Sequence, residues 1–265
     1  MTKKKWGQNF LIHQNIVDSI VNSAEVKGHD SILEIGPGNG ILTATLLERK
    51  ADVVAIEIDP KLCQGLKERF RNKKKFTLLE IDVMELSQET LSGLIPAPAK
   101  VVANLPYNIA TQLIFKMLPI RDSWQSLTLT VQAEVAERIC ATPRSKKVYG
   151  PLSLVGALGF NSTIIRKISS NSFKPAPKVD SAVIQLLPRP SGLSAENEKR
   201  FLSWSRLLFQ QRRKKLINGI RKHFPGWYQM KENYLHENLR SKRPENLDFT
   251  EWMSLFSDFI KVDQN

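Results

Sequence analysis

Apolar and polar positions follow two periods along this chain. Ile16, Val17, Ile20 and Val21 recur at helical spacing, and Lys27-Gly28 ends that helix. Ser31-Ile32-Leu33-Glu34-Ile35 then reads as a short buried strand. Gly36-Pro37-Gly38-Asn39-Gly40 is a turn, and Ile41 to Leu47 starts the next helix. The alternation repeats. Val53 to Ile58 is a second strand, and Pro60 opens a helix, as proline does in a first turn. Phe76 to Ile81 is a third strand and Val101 to Ala103 a fourth, followed by a helix from Asn108 to Leu118. Leu127 to Val131 is a fifth strand and Glu134 to Cys140 a helix. Strands alternating with helices predict a parallel sheet covered on both faces, with right-handed crossovers.

The later part changes period. Gly159 to Ile168 and Ala182 to Leu187 read as strands with no convincing helix between them, which predicts an antiparallel hairpin at the sheet edge. Phe173-Lys174-Pro175-Ala176-Pro177-Lys178 between them is a loop stiffened by two prolines. Pro188-Arg189-Pro190-Ser191-Gly192 reads as a linker. Beyond it the pattern is helical. One helix is expected from about Glu196 to His223, stopped by Pro225-Gly226. A last one starts near Pro244-Glu245-Asn246-Leu247 and turns Trp252, Leu255, Phe256 and Phe259 inward. The expected division is an α/β domain over 1–188 and a small all-helical domain over 189–265.

At 265 residues the chain is long enough for a full core, and 42% hydrophobic with 25% charged residues is ordinary. The net charge of +13 is not ordinary. It points to a polyanionic partner, since cationic side chains on phosphates release counterions. Nine basic residues lie from Lys199 to Lys222 and no acid occurs up to Lys231, where surface charge normally mixes both signs. No apolar run approaches the roughly 20 residues of a membrane helix. The N-terminus, Met1-Thr2-Lys3-Lys4-Lys5-Trp6, is basic without the apolar stretch of a signal peptide. Cys63 and Cys140 form no framework, and four scattered histidines form no metal pattern. The expectation is a cytoplasmic protein without a metal, by default a monomer.

The strand ends carry the candidate chemistry, because ligands of open α/β sheets bind at the carboxyl ends of the strands. Gly36 and Gly38 let the backbone approach a ligand closely, but the turn is one residue too short for the dinucleotide spacing G-x-G-x-x-G. Glu57 lies at the end of the second strand, 21 residues after Gly36, where an acid accepts both hydroxyl hydrogens of a ribose. Asp82, just past the third strand, can accept from an adenine amino group. Together they describe a site for an adenosine without phosphates. After the fourth strand comes Asn104-Leu105-Pro106-Tyr107. The Asn104 side-chain carbonyl and the Leu105 backbone carbonyl can accept both hydrogens of a flat aromatic amine. Pro106 fixes the turn and biases Leu105 away from helical angles. Tyr107 offers a ring face to a base. Such contacts strengthen as positive charge grows on the nitrogen.

These residues resemble a known family. Gln8-Asn9-Phe10-Leu11, Glu34-Ile35-Gly36-Pro37-Gly38, Glu57, Asp82, Asn104 to Ile109 and Phe173 to Ser181 are similar to blocks of the KsgA/RsmA-type small-subunit rRNA adenine N6,N6-dimethyltransferases. Gln211-Arg212-Arg213-Lys214 resembles the basic helix of that family's C-terminal domain. The resemblance spans essentially the whole chain. It implies a Rossmann-like class I methyltransferase sheet, S-adenosyl-L-methionine as donor and S-adenosyl-L-homocysteine as product. The implied substrate is two adjacent adenosines in the hairpin loop near the 3′ end of 16S rRNA, within a precursor of the small subunit. Asn9, Leu11, Gly36, Gly38, Glu57, Asp82 and Asn104 would line the donor site, and Tyr107 and Phe173 would sandwich the target base.

The basic stretch then becomes the rRNA contact. Arg206, Arg212, Arg213, Lys214, Lys215, Arg221 and Lys222 would meet phosphates by shape rather than by base edges. Two other readings stay open: a 23S rRNA adenine methyltransferase of the macrolide-resistance type, and a non-catalytic assembly or transcription factor on the same fold.

Overall fold

The structure, a computed structural model, describes residues 8–145, 147–231 and 241–263. The basic N-terminal tract, Lys3 to Trp6, lies outside the described residues. In chain order, β1 (Phe10–Leu11) and α1 (Gln14–Ser23) precede β2 (Ser31–Ile35) and α2 (Ile41–Glu48). Then come β3 (Asp52–Glu57), α3 (Pro60–Arg69), β4 (Phe76–Glu80), α4 (Gln88–Gly93), β5 (Ala99–Asn104) and α5 (Ala110–Met117). Next are β6 (Trp124–Gln132), α6 (Ala133–Ile139), α7 (Pro151–Gly159), β7 (Phe160–Ile168), β8 (Phe173–Lys174) and β9 (Ser181–Pro188). Helices α8 (Ala195–Phe209), α9 (Leu216–His223), α10 (Pro225–Lys231) and α11 (Phe249–Asp263) complete the described elements.

Seven strands form one sheet in the order β4-β3-β2-β5-β6-β9-β7. Pairings from β4 to β6 are parallel, while β9 runs antiparallel to both β6 and β7. The expected parallel sheet with an antiparallel edge hairpin is therefore present. The order places the ends of β2, β3, β4 and β5 side by side, which is what gathers the glycine turn, the two acids and Asn104. A separate two-residue ribbon, β1 with β8, sets Leu11 against Phe173 and Phe10 against Lys174.

Local signals explain the boundaries. Asp59 caps α3 by accepting from the Lys61 N–H, and Pro60 sits at the first turn. Ser194 caps α8 in the same way through the Asn197 N–H. Helix α1 buries Ile16, Val17, Ile20 and Val21 in a core that includes Leu42, Leu46, Ile32, Val53 and Val102. Each such side chain contributes about 1.5–3 kcal/mol of gross burial energy.

The described residues divide into two compact units. One runs to Ala136 and resumes over Gly159–Arg189; the other comprises Glu137–Leu158 and the described residues from Pro190 on. A linear division at 188/189 misses the placement of Glu137–Leu158. That segment joins the C-terminal helices because Tyr149 meets Phe209 edge-on, with ring centroids 6.0 Å apart, and the Lys147 carbonyl accepts from Arg212. The core of this second unit is aromatic. Trp204 packs against Trp252, Phe256 and Phe259, with Phe209 stacked on Trp252. Trp252, Leu255, Phe256 and Phe259 are buried, as the pattern predicts.

The expected single helix from Glu196 to His223 is two helices. Helix α8 ends at Phe209, a turn of i→i+3 bonds covers Gln210 to Lys214, and α9 begins at Leu216. Gln211-Arg212-Arg213-Lys214 is therefore the bend between helices. The bend lets α9 fold back on α8, where Gly219 sits so close that an added Cβ would meet a Leu208 methyl at 3.3 Å. Pro225 does end the preceding helix, but it also opens α10. Pro244–Asn246 is a single 3-10 turn, with α11 beginning at Phe249.

Candidate active site

The glycine turn follows β2 directly. Gly36, Gly38 and Gly40 have φ of +69°, +59° and +79°, in the left-handed region that other residues enter only with strain. At Gly38 the space is also taken: an added Cβ would lie 2.9 Å from the Phe10 ring. The Gly38 N–H donates to Glu57 Oε2 at 3.1 Å. Glu57 Oε1 accepts from the Ile58 and Asp59 N–H groups, each at 3.0 Å. Burial raises the Glu57 carboxyl above its ordinary range, and these three N–H groups offset only part of that rise. The carboxylate is thus fixed in place with lone pairs left to accept hydroxyl hydrogens. Asp82 Oδ1 accepts from the Met84 N–H at 2.8 Å, which orients the second acid.

These groups surround a cavity of about 150 Å³. Asn9, Leu11, Gly36, Gly38, Glu57, Asp82, Asn104, Leu105, Pro106 and Tyr107 all line it. Ile56, Ile58, Ile81 and Val83 supply apolar walls that the sequence reading assigned no role. Their signal was available, since they flank the two strand-end acids in sequence. An apolar-walled cavity with two acids able to accept hydrogen bonds suits a nucleoside.

Glu34 is the unanticipated member. It lines the same cavity, is 1% exposed, and accepts the Thr43 hydroxyl on Oε2 at 2.7 Å. Its Oε1 has no hydrogen-bond partner among the described residues. Burial, with the nearby Glu57 charge adding to it, pushes this carboxyl up to about 8. An acid inside the apolar run Ile32 to Ile35 was the signal that could have flagged it.

The segment after β5 holds the acceptor groups. Leu105 N–H donates to the Thr130 carbonyl at 3.1 Å, and Ile109 N–H closes the turn on the Pro106 carbonyl at 3.2 Å. Asn104 Nδ2 donates to the Asn9 carbonyl at 3.1 Å. That commits the donor arm of the amide and leaves Oδ1 as an acceptor that receives no hydrogen bond among the described residues. Tyr107 is half-buried, and its hydroxyl lies 2.5 Å from Ser181 Oγ. Burial raises its phenol above the ordinary value.

Two expectations change. Phe173 does not line the cavity; it is 3% exposed and belongs to the core with Leu11, because β8 pairs with β1. In this arrangement it has no open face for a base. Arg212, expected on RNA, spends its guanidinium inside its own unit, pairing with Glu245 at 3.0 Å and donating to the Lys147 carbonyl. Arg221 lies over the Tyr228 ring at 4.9 Å and donates to its hydroxyl, although it remains exposed. Arg206, Arg213, Lys214, Lys215 and Lys222 are exposed.

The model of the family described as ribosomal RNA adenine dimethylase matches residues 1–259. The chain is 37% identical, over 99% of its length and 98% of the relative's, to a ribosomal RNA small subunit methyltransferase A of Acaryochloris marina. Its fold is similar to a dimethyladenosine transferase from Plasmodium falciparum, with a TM-score of 0.78 and 28% identity over 95% of this chain and 98% of that one. It is also similar to the 23S rRNA methyltransferase ErmE, with a TM-score of 0.67 and 26% identity over 94% and 99% of the two chains. A cavity lined by the glycine turn and two strand-end acids, the Asn104 to Tyr107 turn along it and a family match over nearly the full length go together: the chain belongs to the ribosomal RNA adenine dimethylase family, enzymes that methylate adenine in rRNA.

Proposed function

We propose that this enzyme transfers methyl groups from S-adenosyl-L-methionine to N6 of two adjacent adenosines in the 3′-terminal hairpin loop of 16S rRNA. The product is N6,N6-dimethyladenosine, made in the cytoplasm on a precursor of the small subunit. The observation that supports the reading is the Asn104 amide in the cavity lining, its Nδ2 engaged by the Asn9 carbonyl, which leaves Oδ1 available as an acceptor. An oxygen or carbon nucleophile would have little use for two fixed carbonyls; an amine with two hydrogens uses both. The small-subunit choice follows relatives such as that of Acaryochloris marina, which carries small subunit in its name.

The donor fits the residues present. Glu57 would hold the ribose hydroxyls, Asp82 the adenine amine, and the glycine cradle the close approach of the amino-acid part. Glu34, a lining residue with Oε1 unpartnered, would gain a hydrogen-bond partner from a polar group of the donor. When bound, this donor supplies a methyl group already activated on a sulfonium, and its C–S electrons leave with the sulfur. The protein's task is then to present the amine. Asn104 Oδ1 and the Leu105 carbonyl take the two N–H groups and turn the nitrogen lone pair towards the methyl. As the N–C bond forms the nitrogen becomes positive and both contacts tighten. The surplus proton leaves to solvent, so no strong general base is required.

Tyr107 would stack on the target base, taken from a loop where unstacking is least costly. Phe173 would act from the core, holding β1 and with it the Asn9 carbonyl that orients Asn104. In the second unit, the exposed Arg206, Arg213, Lys214, Lys215 and Lys222 would meet rRNA phosphates.

The test supplies labelled donor to small subunits lacking the modification and to naked 23S rRNA. Label is expected in the small subunit. Label found only in 23S rRNA would overturn the substrate assignment.

A further inference from the structure

We infer that Ser181 is a positioning residue for the acceptor site, its buried hydroxyl fixing the Tyr107 ring against which the target base lies. The inference rests on the reading of Tyr107 as the base platform and assigns what holds that platform still.

Ser181 is wholly buried and opens β9. It is flanked on both sides, paired with Gln132 of β6 and with Ile168 of β7. The residue before it is anchored as well. The Asp180 carbonyl accepts from the Ala133 N–H at 3.0 Å, and its carboxylate accepts from the Ser170 N–H at 2.9 Å. A side chain with a single short rotor on so fixed a backbone is a stationary hydrogen-bonding point. Tyr107 is the opposite case, a half-buried side chain on the turn past β5. The 2.5 Å contact between the two hydroxyls ties the ring to that fixed point, 74 residues away in sequence.

The same segment holds the other end of the turn. Phe173–Lys174, at its start, pairs with Phe10–Leu11. Asn9, just before that ribbon, provides the carbonyl that receives Asn104 Nδ2. Residues 173–181 thus brace Asn104 through β1 and Tyr107 through Ser181. The acceptor carbonyl and the ring face keep a fixed relation because one loop sets both.

Ser181→Ala and Tyr107→Phe remove the same bond from its two ends, the second without touching the buried strand. Each is compared with the double variant and with Tyr107→Ala. Single-turnover methylation of unmodified small subunits gives the rate and the apparent subunit affinity, calorimetry gives donor affinity, and thermal unfolding reports folding. Each single variant is expected to lower the second-order rate constant for the subunit roughly three- to tenfold, the scale of one hydrogen bond. Donor affinity should change less than about twofold. The double variant should be no worse than either single one, because the two share one interaction. Losses that multiply in the double variant would overturn the inference, as would an undiminished rate in Ser181→Ala, or donor affinity falling in step with the rate. Tyr107→Ala separates the two levels. Full activity in it would defeat the platform reading itself, whereas lost activity in it beside an intact Ser181→Ala would defeat only the role of Ser181.

Discussion

The glycine turn with its acids and the basic stretch that runs through α8 and α9 were both conspicuous in the sequence, and they fared differently. At the turn, the residues singled out converge on one cavity. In the basic stretch, the expected helix is bent and one of its arginines is consumed by an internal ion pair. The difference lies in what each signal means physically. Glycines at positive φ and acids at strand ends are tied to a local backbone shape that the sheet topology then superimposes. A run of like charge has no local shape. Whether a given arginine meets phosphate, carboxylate or carbonyl depends on which segments fold beside it. Arg212 has Glu245 and the Lys147 carbonyl as neighbours, from segments distant in sequence.

The largest expected effect is at the acceptor. Asn104→Ala should lower the methyl-transfer rate by about 10²–10³-fold, the usual loss for one preorganised hydrogen-bonding group at a site of developing charge. Single-turnover kinetics check it, and undiminished transfer would break the claim that the turn is catalytic.

Glu34 comes next, through pH. Its folded-state pKa of about 8 lies above the ordinary carboxyl value of 4.5. Between those values the unfolded chain has released the proton while the folded protein keeps it. The contribution of Glu34 to stability therefore falls as pH rises from 4.5 towards 8, and is flat above. Glu34→Gln removes that loss, so its advantage over the parent protein should grow across the window to a few kcal/mol at pH 8. Urea unfolding of ligand-free protein at several pH values measures this; parallel curves for the two proteins would refute it.

Gly38→Ala sharpens the contrast from the other side. The added methyl meets the Phe10 ring on a backbone of φ +59°, so a loss of about 1–3 kcal/mol in stability is expected. Weakened donor binding should accompany it, since Phe10 and Gly38 both line the cavity.

The smallest effects distinguish two adjacent arginines. Arg212→Ala leaves Glu245 with only the longer 3.9 Å contact to Arg243 and should cost about 1 kcal/mol in thermal or urea unfolding. Arg213→Ala, exposed on the bend, should change stability by less than about 0.5 kcal/mol. It should instead reduce the salt dependence of subunit binding by about one phosphate contact. Identical behaviour of the two would erase the distinction between the structural and the RNA-facing member.

Much of the first unit was legible because periodicity fixes faces. The alternation of strands with helices gave the parallel sheet, and the apolar stripe of α1 gave its buried side. Phe173 was misplaced because a phenylalanine in a proline-rich loop carries no period. Only the pairing of Leu11 with Phe173 turns it into the core. Segment Glu137–Leu158 changed sides because Tyr149 finds Phe209, a contact across 60 residues that no local pattern encodes. Ser181 gave no signal at all, since a serine opening a strand is unremarkable until its hydroxyl meets Tyr107.

By itself, the sequence determined the sheet, the glycine turn, the acids at the ends of the second and third strands, and the turn after the fourth strand. Those depend on backbone conformations that neighbouring residues impose on one another. Only the tertiary structure decided which charges remain outside, which aromatic ring is left facing the cavity, and that Glu34 is buried with one oxygen unpartnered. Each of these depends on whether a distant segment arrives to pair with the group or to exclude water from it, and the energy of a polar side chain is set by that arrival.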